Sequence, residues 1–374
     1  IDLVICKNCG LVQLGHNFDL RYLYGPDYGY RTGINSTMLN HVKSVVTVLS
    51  KKTKIKKNDL ALDIASNDGS LLNFYRKEII TFGIDPVLDK YKKEYREINY
   101  KVSDFFSAKK IREKNKKKFK IITALSVFYD ALDPNKFIKD VKKLLLQDGV
   151  FLLEFADLAS IIEYKMFDTI CHEHLEYYSL STINYLLKRN NLKLFKVSKN
   201  DINGGSIRCY VTHDKNYLYD EFRHSKYIEK LLKKEQFLGI DKIEYYNSFN
   251  RNIRKIKSNL KKKITNLIKN GKKIYILGAS TKGNTILQYL EIDNKMIPYA
   301  IERNRNKIGA ETIGSKIKII GESILKKNTP EYMLVLPWHF KKEILKRERK
   351  YIKNGGTLIF PLPKVHIINN KNIK

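Results

Sequence analysis

LALDIASNDGSLL, residues 60–72, is the stretch whose reading decides the fold. Its opening residues are apolar apart from Asp63, as expected of a short strand buried on both faces. The turn Ser66-Asn67-Asp68-Gly69 follows, and SNDGSLLNFY is expected to open a helix. Strand, turn and helix in that order begin a nucleotide-binding α/β unit. A dinucleotide site requires G-x-G-x-x-G so that the backbone can approach a pyrophosphate, and this turn has a single glycine. The turn therefore argues against a nicotinamide dehydrogenase and for a cofactor lacking a pyrophosphate.

Downstream spacing agrees. Asp85 ends the next strand, ITFGIDP (80–86), about 20 residues on, where an acid suits a ribose diol. Asp104 follows a third strand, YKVSD (100–104), placed to meet a base edge with Phe105 or Phe106 beside it. This spacing suits S-adenosylmethionine better than NAD. Asp63, Ser66, Asn67, Gly69, Asp85, Asp104, Phe105 and Ser126 are the expected cofactor contacts.

The α/β alternation continues. KIITALSVFY (120–129) reads as a fourth strand, FIKDVKKLLL as a helix and GVFLLEF (149–155) as a fifth strand. Near-continuous apolar strands separated by helices predict a parallel sheet covered on both faces. In 192–213 two alternating runs flank Asn203-Gly204-Gly205, which predicts an antiparallel hairpin closing that sheet. YIEKLLKKEQF and IRKIKSNLKKKITNLIK have apolar residues at helical spacing, and their charges read as solvated faces. KKIYILGAS, TKGNTILQYL, IPYAIERN, YMLVLPWHF and GGTLIFPL then build a second α/β unit. The expected organisation is an N-terminal region (1–55, with a helix from Ser36 to about Leu49), a cofactor-binding unit (56–213), a helical connector (214–270) and a second Rossmann-like unit (271–374).

At 374 residues the chain is too long for one hydrophobic core. No run of 18 apolar residues argues for a membrane span, and IDLVICKNCG has no signal-peptide pattern. The 71 Lys+Arg against 39 Asp+Glu give a net charge of +32, a field that attracts anionic partners. The lysines are spread along the chain without an RNA-binding or zinc-finger pattern, so nucleic acid is disfavoured. Four cysteines make no disulfide scaffold, and a reducing cytoplasm fits. Cys6 and Cys9 form a CxxC pair. Structural zinc takes four ligands, so the pair is an incomplete site that a further pair upstream would complete.

DTICHEHLEYYSL (168–180) concentrates Cys171, His172, Glu173 and His174. HEHLE is not HExxH, since Glu176 stands four after His172, and the zincin pattern fails. Were the segment extended, His172 and His174 would share one face and Cys171 and Glu173 the other. Two histidines plus a distant acid would then bind iron or zinc, while a His172 bonded to a backbone carbonyl is the plainer expectation.

CKNCGLVQL, DYGYRTG, LDIASNDGSLL, GVFLLEF, FDTICHEHLEYYSL, INGGSIRCYV and YILGASTKGNTILQYL, in this order, resemble the S-adenosylmethionine-dependent sugar C-methyltransferases. The resemblance spans nearly the whole chain. It implies a zinc-binding N-terminal domain, a class I methyltransferase domain and a C-terminal Rossmann-like domain, with Cys6 and Cys9 matching the second cysteine pair. It further implies an NDP-4-keto-6-deoxyhexose substrate, methylated next to the ketone through an enolate. Such chemistry needs a base and a group that stabilises the enolate oxygen. His174 matches the family's catalytic histidine, Glu173 its neighbour in the motif, and Tyr30 an active-site tyrosine. Tyr28 is a rival for the tyrosine role. The chain departs from the family at Cys171, where Tyr is frequent, and at Tyr129-Asp130, where a histidine is frequent. Asp130 is expected to meet a substrate hydroxyl, to pair with His174 or to cap a helix.

GASTKGN (278–284) is a second glycine turn, expected to hold the nucleotide diphosphate on backbone N–H groups with help from Lys282. Glu302, Arg303 and Arg305 would flank it. Tyr28, Arg31, Asp130, Cys171, His172, Lys282 and Asn284 are the expected substrate contacts. O- or N-methylation of another anionic metabolite is the rival enzyme reading. An RNA-binding methyltransferase, with a continuous basic stripe and exposed aromatics, ranks below it.

Overall fold

The computed structural model describes residues 1–25, 28–323 and 329–373. The chain opens with a hairpin, β1 (Leu3–Ile5) and β2 (Val12–Leu14). Strands β3 (Leu60–Ile64), β4 (Ile80–Ile84), β5 (Tyr100–Val102), β6 (Phe119–Leu125) and β7 (Leu145–Ala156) run parallel. The short β8 (Glu176–Tyr177) returns to pair with β2. Next come β9 (Leu192–Asn200) and β10 (Ser206–His213), the antiparallel hairpin expected around Asn203-Gly204-Gly205. The second α/β unit holds β11 (Ile274–Leu277), β12 (Tyr299–Glu302), β13 (Lys318–Gly321), β14 (Tyr332–Val335), β15 (Thr357–Phe360) and β16 (His366–Ile368).

The large sheet is 7-stranded in the order β5-β4-β3-β6-β7-β10-β9. The chain winds one way from β3 and then the other from β6, so a crevice opens at the carboxyl ends of these two strands. The second sheet is 6-stranded, β13-β12-β11-β14-β15-β16, with the same reversal at β11 and β14. Every residue of β3 is buried, which is why its pattern is apolar rather than alternating. One face is covered by the helix Ser36–Thr53 through Val42, Val45, Val46 and Leu49, which share a core with Ala61, Ile121 and Leu152. The Asn35 side chain caps that helix by accepting from the Met38 N–H, and Lys54, at φ 49, ends it. The opposite face packs on Ile138, Val141 and Leu144 of the helix Pro134–Leu144.

Three expectations are corrected. SNDGSLLNFY makes only a 3-10 turn, Leu72–Phe74, because Tyr75 turns extended and no apolar stripe continues beyond it. The connector does not form one piece. Ile228 of the helix Phe222–Leu238 joins the core of the large sheet, whereas Phe249, Ile256, Leu260 and Ile264 of the helix Ile243–Lys269 join the core of the second. The helix Ser36–Thr53, assigned to the N-terminal region, shares the core of the large sheet. Periodicity reports that a helix has an apolar face, not which sheet receives it.

The units meet where the 202–205 turn touches the second. Gly204 has φ +94, and a Cβ there would stand 2.6 Å from the Met166 sulfur and 2.8 Å from the Trp338 ring. Gly204→Ala is therefore expected to destabilise the chain by about 1–3 kcal/mol. A lower urea midpoint checks this, and an unchanged midpoint would contradict it.

Candidate active site

A cavity of about 890 Å³ occupies the crevice at the ends of β3 and β6. Asp63, Ser66, Asn67, Asp85, Asp104, Phe105 and Ser126 line it. Gly69 does not. It turns the chain at φ +74 behind the lining, where a Cβ would meet Ile98 at 2.7 Å. The turn is built to present backbone. Ala65 and Asn67 take positive φ, and Asp85 accepts from the N–H groups of Asn67 and Val87, both at 2.8 Å. Burial pushes Asp63 up to about 7, against the hydroxyl hydrogen bond from Thr123 at 2.5 Å. The same turn holds the segment before the first long helix. Asn67 accepts from the Thr32 N–H at 2.9 Å and donates to the Tyr30 carbonyl at 3.2 Å. Asp68 accepts from the Gly33 N–H at 2.9 Å, an approach that a Cβ on Gly33, 2.6 Å from the carboxylate, would block. Tyr28 and Tyr30 are thereby carried to the cavity, Tyr30 remaining 45 % exposed.

Residues 171–174 form a turn rather than a strand, closed by a hydrogen bond from the His174 N–H to the Cys171 carbonyl at 3.2 Å. The alternation expected of an extended segment is lost. Cys171, Glu173 and His174 bring their donor atoms within 4.8 Å of one another, and all three line the cavity. His172 points outward to His16, ring nitrogen to ring nitrogen at 3.1 Å, and packs on Phe18. It lines no part of the cavity and, among the described residues, bonds no carbonyl. The metal set of two histidines therefore does not form. Burial pushes the Cys171 thiol up to about 12, and the Lys282 ammonium beside this turn opposes a divalent cation at the remaining trio.

His174 faces the cavity with its ring edge-on to Tyr129, centroids 4.4 Å apart. Its Nδ1 lies 2.7 Å from the Thr169 carbonyl, which only a proton-bearing nitrogen can satisfy, so in the neutral ring Nε2 is the free acceptor. Separation from bulk water, and then the Lys282 charge, push its pKa down to about 4. Burial pushes Glu173 the other way, up to about 7, against Lys307. Asp130 is buried and held well above the carboxylate range by desolvation. It accepts from the Tyr24 hydroxyl at 2.7 Å, and its second oxygen is unpartnered.

The second unit contributes Ser280, Thr281, Lys282, His339 and Phe340 to the lining. Its glycine turn is not the open anion cradle expected. Glu302 accepts from the Ala279 N–H, Ser280 accepts from the Gly283 N–H, and Asn284 lies outside the lining. Glu302 also accepts from Arg303 and Asn304, and Arg303 and Arg305 stand exposed away from the cavity. Lys282 reaches back to the first unit, donating to the Asn203 carbonyl at 3.3 Å. Arg31 pairs with Asp68 and Glu94, at 3.1 and 2.7 Å, rather than facing the cavity. Cys6 and Cys9 sit in the hairpin turn, and among the described residues no third ligand joins them.

Sequence reasoning missed several lining residues: Tyr24, His41, Glu154, Asn203 and His339. Glu154 and Arg208 did leave a signal, as charges inside apolar strand runs. They pair across β7 and β10 at 2.7 Å, with His41 on the other carboxylate oxygen.

The two shifts at 173–174 act oppositely on stability. An unfolded His174 takes its proton near 6.5 and the folded one near 4, so its contribution is lost as pH falls across that window. The raised Glu173 contributes below 4.5 and loses that contribution as pH rises to about 7. Relative to the parent protein, Glu173→Gln should make stability rise more steeply with pH between 4.5 and 6.5, and His174→Asn less steeply. Urea midpoints against pH check both signs.

A family model described as "Methyltransferase domain" matches residues 27–197, and one described as "C-methyltransferase C-terminal domain" matches 201–363. The C-methyltransferase NovU of Streptomyces niveus is 25 % identical over 372 residues, covering 99 % of this chain and 87 % of that protein. Among solved structures, an S-adenosylmethionine-dependent methyltransferase of Clostridium acetobutylicum shares 14 % identity over 47 % of this chain and 92 % of its own, with a TM-score of 0.37. Magnesium protoporphyrin IX methyltransferase of Synechocystis, solved with bound SAH, shares 15 % over 52 % and 92 %, also with a TM-score of 0.37. The assignment rests on the family models and the full-length relative. With its class I methyltransferase sheet followed by a second Rossmann-like sheet, this chain belongs to the S-adenosylmethionine-dependent C-methyltransferases.

Proposed function

We propose that the chain methylates a carbon next to the ketone of a nucleotide-linked keto-deoxysugar, through an enolate. The observation that carries this reading is His174. Its Nδ1 is tied to the Thr169 carbonyl and its Nε2 is left as a neutral acceptor on the cavity wall. A carbon acid needs such a base, since its proton does not leave unaided. The cavity fits the cofactor at one end. Asp85 and Asp104 offer carboxylate oxygens, Phe105 an apolar face, and the 65–67 turn its backbone. When bound, S-adenosylmethionine supplies an electrophilic methyl.

The remaining work belongs to the chain. Tyr30, Tyr28 and Asp130 line the same cavity as the base, and Tyr30 would donate to the ketone or enolate oxygen. Asp130 offers its unpartnered oxygen to a sugar hydroxyl, and the Tyr24 hydroxyl, its proton committed to Asp130, is left to accept. Glu173, its pKa pushed up to about 7 by burial, is poised to lose its proton as His174 becomes an imidazolium. Ser280 and Thr281 bring the second unit to the cavity, where the nucleotide would lie. The net charge of +32 favours approach of a diphosphate.

Incubation with S-adenosylmethionine and a panel of nucleotide 4-keto-6-deoxyhexoses should yield a product heavier by one methylene, detected by mass spectrometry. No such product across the panel counts against the sugar reading. In heavy water without cofactor, the substrate's α-proton should exchange. Methylation without exchange would point to an oxygen or nitrogen acceptor. His174→Gln should slow exchange by about 10²–10⁴-fold while S-adenosylhomocysteine still binds.

A further inference from the structure

The residue expected to hold phosphate, Lys282, stands elsewhere. It leaves the N-terminus of the helix Thr281–Leu290 and crosses into the cavity of the first unit. Its hydrogen bond to the Asn203 carbonyl is long, at 3.3 Å. Among the described residues it forms no direct ion pair with a carboxylate, although Asp168 acts on it from further off. One oxygen of Asp168 accepts from the Trp338 indole at 2.8 Å, and the other has no partner. Lys282 is therefore a poorly compensated cation with N–H donors to spare, on the cavity wall that carries His174.

We propose that Lys282 is a catalytic residue, the cation that stabilises the negative charge gathering on the substrate's carbonyl oxygen while His174 removes the neighbouring proton. The inference rests on the enolate reading above. Proton abstraction converts a neutral ketone and a neutral imidazole into an enolate and an imidazolium. The C–H electron pair becomes the C=C bond, and the carbonyl π pair moves onto oxygen. Beside Lys282 the new anion lies between two cations, in a site poor in water where such an arrangement is strongest. Methylation then forms the C–C bond, restores the carbonyl and leaves the S–CH₃ pair on sulfur, and the imidazolium releases its proton to solvent.

The histidines of the cavity carry the mark of this charge. After burial, Lys282 is the cause that keeps both His174, at about 4, and His339, at about 3, deprotonated. His174 is faced by Lys282 from the second unit, by Tyr129 from the turn after β6, by the Thr169 carbonyl, and by Cys171 and Glu173 from its own turn. The same lysine that weakens His174 as a base makes the bound ketone a stronger acid. The second unit thereby gains a part in the chemistry, because its packing against the 202–205 turn delivers the cation.

The test is α-proton exchange in heavy water, without cofactor, on nucleotide 4-keto-6-deoxyhexoses, read by NMR across pH. Lys282→Met should slow exchange about 10²–10³-fold, and Lys282→Arg should recover part of it. With the cation gone, the acidic limb of the pH profile should move up, because His174 regains proton affinity. S-adenosylhomocysteine binding should be unchanged and reports folding. Should Lys282→Met not fold, Lys282→Gln keeps a donor for Asn203 and makes the same distinction. Exchange within about threefold of the parent, with an unmoved limb, would show that Lys282 is only a tether between the units and would overturn the proposal. If the parent protein itself exchanges none of the sugars, the enolate reading falls and this role falls with it.

Discussion

Loss of water from ionisable side chains, where the two α/β units meet, is the constraint on which the site depends. Asp63, Asp130, Glu173 and Glu176 are all pushed toward their neutral forms, and His174, His339 and Lys282 likewise, with burial the first cause each time. In water these groups would be an ordinary mixture of acids and bases. Behind the cavity walls they become a neutral base, acids that are only partly ionised and one under-compensated cation. Proton-transfer chemistry near pH 7 needs partners of that kind.

The junction is maintained by apolar packing drawn from distant parts of the chain. Val12 and Leu14 of the N-terminal hairpin, Leu175 and Tyr177 after the HEH turn, and Trp338 of the second unit belong to one core. The β2–β8 pairing anchors the hairpin beside the turn that carries Cys171, Glu173 and His174. The N-terminal segment, tied by Asn67 and Asp68, then lays Tyr28 and Tyr30 along the cavity. The cofactor turn thus has two roles. Its backbone lines the pocket, and its side chains hold the segment that completes it.

Local chemistry made much of the fold legible in the sequence. The strand at 60–64, the hairpin around Asn203-Gly204-Gly205 and the helix Thr281–Leu290 are written in apolar runs, turn residues and periodicity, which act over a few residues. SNDGSLLNFY misled, because a strand-turn opening carries no information on how long its helix runs. Asp63, Ser66, Asn67, Asp85, Asp104, Phe105 and Ser126, expected on the cofactor side, share the cavity lining for the same reason, since each lies at or just beyond the end of a strand whose apolar run is legible. The roles expected of Cys171, Glu173 and His174 entered through resemblance to a family.

The sequence by itself determined two α/β units, their order and a single-glycine turn that argues against a pyrophosphate site. Only the tertiary structure decided that His172 turns away while Cys171, Glu173 and His174 converge. It also decided that Arg31 serves Asp68, and that Lys282 crosses from one unit into the cavity of the other. The physical reason is range. Propensity and periodicity act between neighbours in the chain. Desolvation and charge act between whatever groups the fold brings together, here residues 37 positions apart for Arg31 and Asp68 and 156 apart for His16 and His172.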